Sequence, residues 1–366
     1  MIQIQSIKSK YQPIGQTITS NMFTPFNTDD VVSNNNEIVT STVWSNGLPS
    51  LTTHFTSSTQ TTSQRQYYVD VANSLPGSSD SAIQYSVAYG DLRGSGSNSF
   101  GQLSDSPSKA IYSQYRQLLF PTTPKFQFGS LDNTTGDYIY AITFKRNRMK
   151  EQLNPGNIEI PLTSITSRDT NASGSVAVGS SIFTFIDDST IKAPTVGAMG
   201  RVYNLVSGSV SNGVFGTTPT YYGKVYPDYG VVIFDGKTLD TSGVGMKTIT
   251  GSSAENNNHF TMYRSISGSG ALGSGFFARN SEKITSTHYF IRVKNTQYNF
   301  TTNPSMIITG STTATMLPDF QGNPITYITT VGLYNDSNQL VAVAKLSKPI
   351  QKSYSKEALI RVKLDF

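Results

Sequence analysis

Strict alternation closes this sequence and restricts it to sheet. Ile360, Val362, Leu364 and Phe366 alternate with Arg361, Lys363 and Asp365, and a period of two places the first set on one face of a strand and the charged set on the other. The pattern predicts a C-terminal strand whose apolar face packs on a core. Ahead of it, Tyr327–Tyr334 and Leu340–Leu346 are rich in Val, Ile, Thr and Tyr and predict two further strands. Asn335, Asp336, Ser337 and Asn338 lie between them. Such residues tolerate positive φ and hydrogen-bond their own backbone, which predicts a hairpin with a polar tip.

Composition points the same way. Charged residues make up 14% and apolar ones 36%, while aromatics reach 11% through 20 Tyr and 19 Phe against one Trp. Tyr and Phe suit a half-buried pleated surface, and uncharged Ser, Thr and Asn suit turns and exposed strand faces; a disordered chain carries fewer aromatics and more charge. The absence of Cys removes disulfides, thiolate nucleophiles and thiolate metal sites. The start, Met1-Ile-Gln-Ile-Gln-Ser-Ile-Lys8, has no apolar stretch of signal-peptide length, and no window approaches the roughly 18 apolar residues of a membrane span. The expectation is a chain made soluble in a cytoplasm, with no membrane partner. A formal charge of +5 over 366 residues is mild, so no nucleic-acid partner is expected.

Along the chain, residues 1–65 are rich in Thr, Ser and Asn, with apolar touches at Met22, Phe23, Phe26, Val39 and Trp44. We read them as an extended N-terminal arm or edge strands that need a partner's surface, because the touches are too sparse for a core of their own. Residues 66–366 form the β-rich core. Gln66–Val71 and Ile83–Tyr89 alternate as strands. Ser106 and Pro107 open a helix whose Ile111, Tyr115, Leu118 and Leu119 repeat at helical spacing until Pro121 and Pro124. Strands return at 137–145, with Tyr138, Tyr140, Ile142 and Phe144 on one side, and at Ile158, Ile160 and Leu162, with Asn154-Pro-Gly-Asn157 as the turn between. Ser/Gly/Thr-rich insertions near 163–220 and 238–275 read as hairpins with long tips. The fold class is therefore mainly β: an antiparallel sandwich-type core with one packed α-helix and long hairpin loops.

Reactive constellations are scarce. His54, His259 and His288 are the only histidines and stand apart, without metal-ligand spacing, so structural roles are expected and no metal or other cofactor. No Gly-x-Ser-x-Gly elbow appears. Gly230-Val-Val-Ile-Phe-Asp-Gly236-Lys237-Thr238 has five residues between its glycines where a phosphate loop needs four, and Val231–Phe234 are strand formers. Asp187-Asp188 and Asp132-Asn133 read as turn chemistry rather than a calcium loop. Asn133, Asn171, Asn299 and Asn335 match glycosylation acceptors by chance in so Asn- and Ser-rich a chain. One dense basic cluster stands out: Lys145, Arg146, Arg148 and Lys150. It is either a solvated strand end or an electrostatic dock for an acidic surface on a neighbouring subunit, since Arg presents a fork that pairs carboxylates.

The hairpin Tyr327-Ile-Thr-Thr-Val-Gly-Leu-Tyr-Asn-Asp336, with Leu340-Val-Ala-Val-Ala-Lys-Leu-Ser-Lys-Pro349 and Ala358-Leu-Ile-Arg-Val-Lys-Leu-Asp-Phe366, resembles the C-terminus of virion structural proteins of large contractile-tailed bacteriophages, cyanophage-like ones in particular. Further matches lie at Ser86-Val-Ala-Tyr-Gly90 with Gly94-Ser-Gly96, Ser108-Lys-Ala-Ile-Tyr-Ser-Gln-Tyr115, Phe144-Lys-Arg-Asn-Arg148, Val225-Tyr-Pro-Asp-Tyr-Gly-Val-Val-Ile-Phe234 and Ser286-Thr-His-Tyr-Phe-Ile-Arg-Val-Lys-Asn295. In this order they span residues 85–366. The resemblance implies a tail or baseplate component, located in the virion and synthesised in the host cytoplasm; the scarcity of reactive constellations adds the expectation that it is not an enzyme.

The reading that follows is a structural subunit of a contractile tail, in the baseplate. Its partners are other tail or baseplate subunits, or further copies of itself, met through hairpins, loops and the N-terminal arm. Interface candidates are Lys145, Arg146, Arg148, Lys150, Phe23, Phe26 and Trp44. The alternative is a receptor-binding or fibre-associated protein that recognises host surface glycan through exposed Tyr, Asn and Ser. A cell-wall hydrolase would need paired carboxylates at a cleft, and none announces itself.

Overall fold

The computed structural model describes residues 3–5, 23–24, 31–56, 68–96, 106–129, 136–168, 175–197, 200–250, 258–299, 304–309, 314–335 and 337–365. Its strands are β1 (Gln3–Gln5), β2 (Phe23–Thr24), β3 (Val31–Thr42), β4 (Ser50–Leu51), β5 (Phe55–Thr56), β6 (Tyr68–Ala72), β7 (Ile83–Asp91), β8 (Tyr138–Phe144), β9 (Gln152–Arg168), β10 (Val176–Asp187), β11 (Thr195–Gly197), β12 (Gly200–Ser209), β13 (Gly213–Val214), β14 (Tyr221–Tyr226), β15 (Val231–Asp235), β16 (Phe276–Val293), β17 (Ile307–Thr309), β18 (Ala314–Met316), β19 (Thr326–Tyr334), β20 (Leu340–Lys352) and β21 (Ala358–Asp365). The helices are α1 (Pro107–Leu119), α2 (Gly236–Thr241), α3 (Asn258–Ala271) and α4 (Pro318–Gly322). The chain divides into a unit of residues 38–283 and a unit of residues 1–37 with 284–366. The fold is mainly β and antiparallel, as expected.

In the 38–283 unit the sheet runs β16-β9-β10-β12-β14-β15-β8-β7-β6-β5, every pairing antiparallel. Its central strands bury both faces. On β8, Tyr140, Ile142 and Phe144 enter one apolar cluster while Ile139 and Ala141 enter another; on β15, Val232 and Phe234 go one way and Val231 and Ile233 the other. Alternation thus holds, but apolar residues occupy both phases, because a helix covers each face. Helix α1 covers the second, with Tyr112 and Leu119 buried. Pro107 starts α1 as expected, but Ser106 makes no side-chain cap bond and Leu118 points outward while Tyr112 goes in. The Tyr112 hydroxyl explains the choice, since it donates to the Gly136 carbonyl and accepts from the Phe126 amide.

The other face is covered by α3, which corrects two expectations: the helix count, and the reading of 238–275 as a hairpin loop. Its sequence, rich in Ser and Gly, has low helix propensity, and packing is what sustains it. Ser265 Oγ donates to the Thr163 carbonyl at 2.7 Å, Ser269 Oγ to the Pro161 carbonyl at 3.1 Å, and Thr163 Oγ1 to the Ser265 carbonyl at 2.9 Å. Small residues let the helix lie this close to β9. A Cβ on Gly270 would stand 2.1 Å from the Thr52 carbonyl oxygen.

A third correction concerns Asn154-Pro-Gly-Asn157, which is no turn: β9 passes straight through it. Gly156 adopts φ +79° and its amide donates to both carboxylate oxygens of Asp187 at 2.9 Å. A buried aspartate thus holds the irregularity inside the strand. Its neighbour Asp188 accepts from the Asn204 amide nitrogens of backbone and side chain at 2.9 and 2.7 Å, so this acidic pair does serve turn geometry. Asp132-Asn133 lies outside the described residues.

In the other unit, β2-β1-β19-β20 form one sheet and residues 286–293 of β16 pair with β21. Ile360 and Val362 of β21 meet Tyr289, Ile291 and Val293 of β16 and Ile328, Val331 and Leu333 of β19 in one cluster, with Leu364 packed against it. Two antiparallel layers thus face each other here. The alternation at the C-terminus is as expected up to Asp365; Phe366 lies outside the described residues. At the β19–β20 tip Asn338 takes φ +58°, and the Asn335 side chain accepts from the Gln339 amide at 2.8 Å.

Candidate functional site

The basic cluster is built by the end of β8. After Phe144 the chain makes a 3-10 turn over Arg146–Arg148, inserts the fully buried Met149, and turns again at Lys150, whose φ of +53° is unusual for a residue with a side chain. Met149 anchors the turn, and the cations around it differ in exposure. Lys145, Arg146 and Lys150 are exposed and Arg148 is half-buried.

The four cations divide by partner. Lys150 Nζ forms an ion pair with Glu282 at 2.9 Å. Arg146 Nη1 donates to the Glu151 carbonyl at 3.1 Å and weakly to that of Asp228 at 3.5 Å. The Lys145 ammonium and the Arg148 guanidinium have no such partner among the described residues, and Arg148 Nε is buried without one.

These two, with Asn147, form one wall of an open cleft of about 440 Å³; Pro76, Gly77, Ser78, Ser81, Ala82 and Ile83 form the other. That second wall is the tip of the β6–β7 hairpin. Buried Gln84 holds it in place: its side-chain oxygen accepts from the Ser45 amide at 2.9 Å, and its nitrogen reaches Ser45 Oγ at 2.7 Å and the Ala82 carbonyl at 2.6 Å. The backbone joins the walls as well, because the Lys145 amide donates to the Gln84 carbonyl at 3.1 Å. Sequence reasoning found the basic wall and missed the hairpin wall, although Pro76-Gly77 is a turn signal.

The remaining interface candidates do not join this cluster. Trp44 is a correction. It is 3% exposed and packs against Tyr85, Phe144 and Phe276 at ring distances of 6.2, 5.8 and 5.2 Å. It is a core residue of the 38–283 unit, not an arm contact, because Val43 and Leu51 beside it are buried too and carry it into the sheet's aromatic cluster. The backbone of Phe23 lies in β2, paired with Gln5, and its side chain is outside what is described; Phe26 is wholly outside.

Two further features bear on function. In β20, at the edge of its sheet, Leu340, Val341 and Val343 are 53%, 58% and 58% exposed. A part-buried polar group joins α2 and the start of α3 to β8 and β9. Asp240 accepts from Tyr138 Oη at 2.8 Å and from the Thr248 amide at 2.9 Å, Tyr140 Oη lies 2.7 Å from Thr248 Oγ1, and Arg168 donates to Asn258 Oδ1 at 2.5 Å. Burial pushes the Tyr89, Tyr138 and Tyr140 phenols up, and they stay protonated. The carboxylate ties Thr248 to Tyr138 of β8, and the guanidinium ties Asn258 to β9. Burial also pulls His54 and His259 down to about 4, so both are neutral core residues at pH 7.

Among the described residues no group of three or more His, Asp or Glu could hold a metal, and no helix is long and apolar enough to cross a membrane. The chain matches no known protein family, no curated protein and no solved structure.

Proposed function

We propose that this protein is a structural subunit of a phage contractile tail, in the baseplate, and that its work is assembly with neighbouring subunits. The observation that carries the assembly reading is the β20 edge. An edge strand offers unpaired backbone groups, and proteins that act alone blunt such edges with charge or proline. Here Lys348 and Pro349 blunt the far half, whereas Leu340–Val343 leave apolar side chains in water. A surface of this kind is covered in an assembly. The tail assignment rests on the ordered resemblance across residues 85–366, which implies a virion location after synthesis in the host cytoplasm.

A reconstruction of the virion tests the proposal: density for this chain is expected within the baseplate, with β20 against a neighbour. Density at a fibre tip, together with binding of the free protein to isolated host envelope, would replace it with the glycan-recognition reading. The cleft disfavours that alternative, since no aromatic ring lines it for a sugar to stack on.

A further inference from the structure

We infer that the cleft between the β6–β7 hairpin tip and the basic turn is a receptor for carboxylates carried by an acidic peptide segment of a partner protein. Within one six-residue turn the cations have been sorted. Lys150 and Arg146 are engaged by Glu282 and by backbone carbonyls, and they do not line the cleft; Lys145 and Arg148 do line it, and neither has a counter-ion among the described residues. Arg148 Nε is buried without an acceptor, and leaving a charged donor desolvated and unpaired is costly. An incoming carboxylate would pair with the guanidinium where Arg148 lines the cleft, because it accepts through two oxygens at once.

The opposite wall suits the same ligand. It adds no negative charge: the Ser78 and Ser81 hydroxyls bond to Ser74 within the hairpin, and the one acid of the hairpin tip, Asp80, is not among the lining residues. A volume of about 440 Å³ admits one or two side chains rather than a folded element. Two cations are too few to hold a nucleic-acid backbone, which needs several neutralised phosphates. With no aromatic platform present, the ligand is a peptide rather than a sugar acid. This inference does not depend on the tail assignment.

Fluorescence anisotropy with a labelled tetraglutamate peptide tests it on the full chain. The peptide should bind, weaken with added salt, and outcompete both tetraglutamine and trigalacturonate. The Lys145→Gln/Arg148→Gln variant should lose affinity about tenfold or more. Because Arg148 is half-buried, Ser78→Asp serves as a second variant: it adds a carboxylate to the exposed hairpin wall and should abolish binding with an unchanged melting temperature. Lys109→Gln/Lys348→Gln removes the same charge elsewhere and should change nothing. Equal loss in that control, equal binding of tetraglutamine, or tighter binding of trigalacturonate would each overturn the proposal.

Discussion

At the scale of single residues, the aromatic and imidazole groups of the 38–283 unit decide its stability and its response to acid. Trp44 is the only tryptophan and lies in the core, so the isolated protein should show blue-shifted emission without any partner, and Trp44→Ala should cost about 3–5 kcal/mol. Solvent-like emission from the free protein would return this residue to the arm. His54 and His259 have folded values near 4 against 6.5 when unfolded. In the window between, the unfolded chain binds the proton and the folded one does not, so stability is full above about pH 6.5 and falls as pH drops toward 4. Each tenfold change in proton affinity is worth about 1.4 kcal/mol, so each His accounts for roughly 3 kcal/mol of that loss. Urea melts at pH 7.5 and 4.5 measure it, and His259→Gln should flatten the difference by about half.

At the scale of elements, α3 and β21 show how differently two elements are held. Helix α3 depends on close approach to the sheet, so Gly270→Ala should destabilise by about 1–3 kcal/mol through forced repacking. Gly322→Ala in α4, where a Cβ meets nothing within 4 Å, should be near neutral, and thermal melts of the two compare them directly. Strand β21 depends on alternation alone. Deleting residues 355–366 removes buried Ala358, Ile360 and Val362, and soluble protein should be lost. A truncated chain that melts like the full one would mean that the cluster shared by β16, β19 and β21 contributes nothing.

For the molecule as a whole, the proposed assembly role rests on the exposed side chains of β20. Val343 faces outward opposite Gly332, so Val343→Lys leaves the cluster beneath it untouched. Purified variant protein should keep its melting temperature but fail to enter particles when it complements a virus lacking the natural chain. Normal incorporation, scored by mass spectrometry of purified virions, would move the assembly surface away from this edge.

Period-two alternation was readable in the sequence because it is local: β21, the hairpin of β19 and β20 with its Asn tip, the strand phase of β8 and the Pro107 start of α1 each follow from residues within about ten positions of one another. What lies between distant segments was not readable. Helix α3 looks like a loop because its Ser and Gly content opposes helix formation, and only contact with Thr163 and Thr52 turns small size into an advantage. Trp44 looks like a solitary apolar touch because the rings that bury it come from positions 85, 144 and 276. The cleft likewise needs residues 76–83 beside 145–148, which strand pairing between β7 and β8 brings together. Side-chain periodicity is a property of a short segment, whereas burial and pairing partner are properties of the whole sheet, and the tertiary structure alone supplies them.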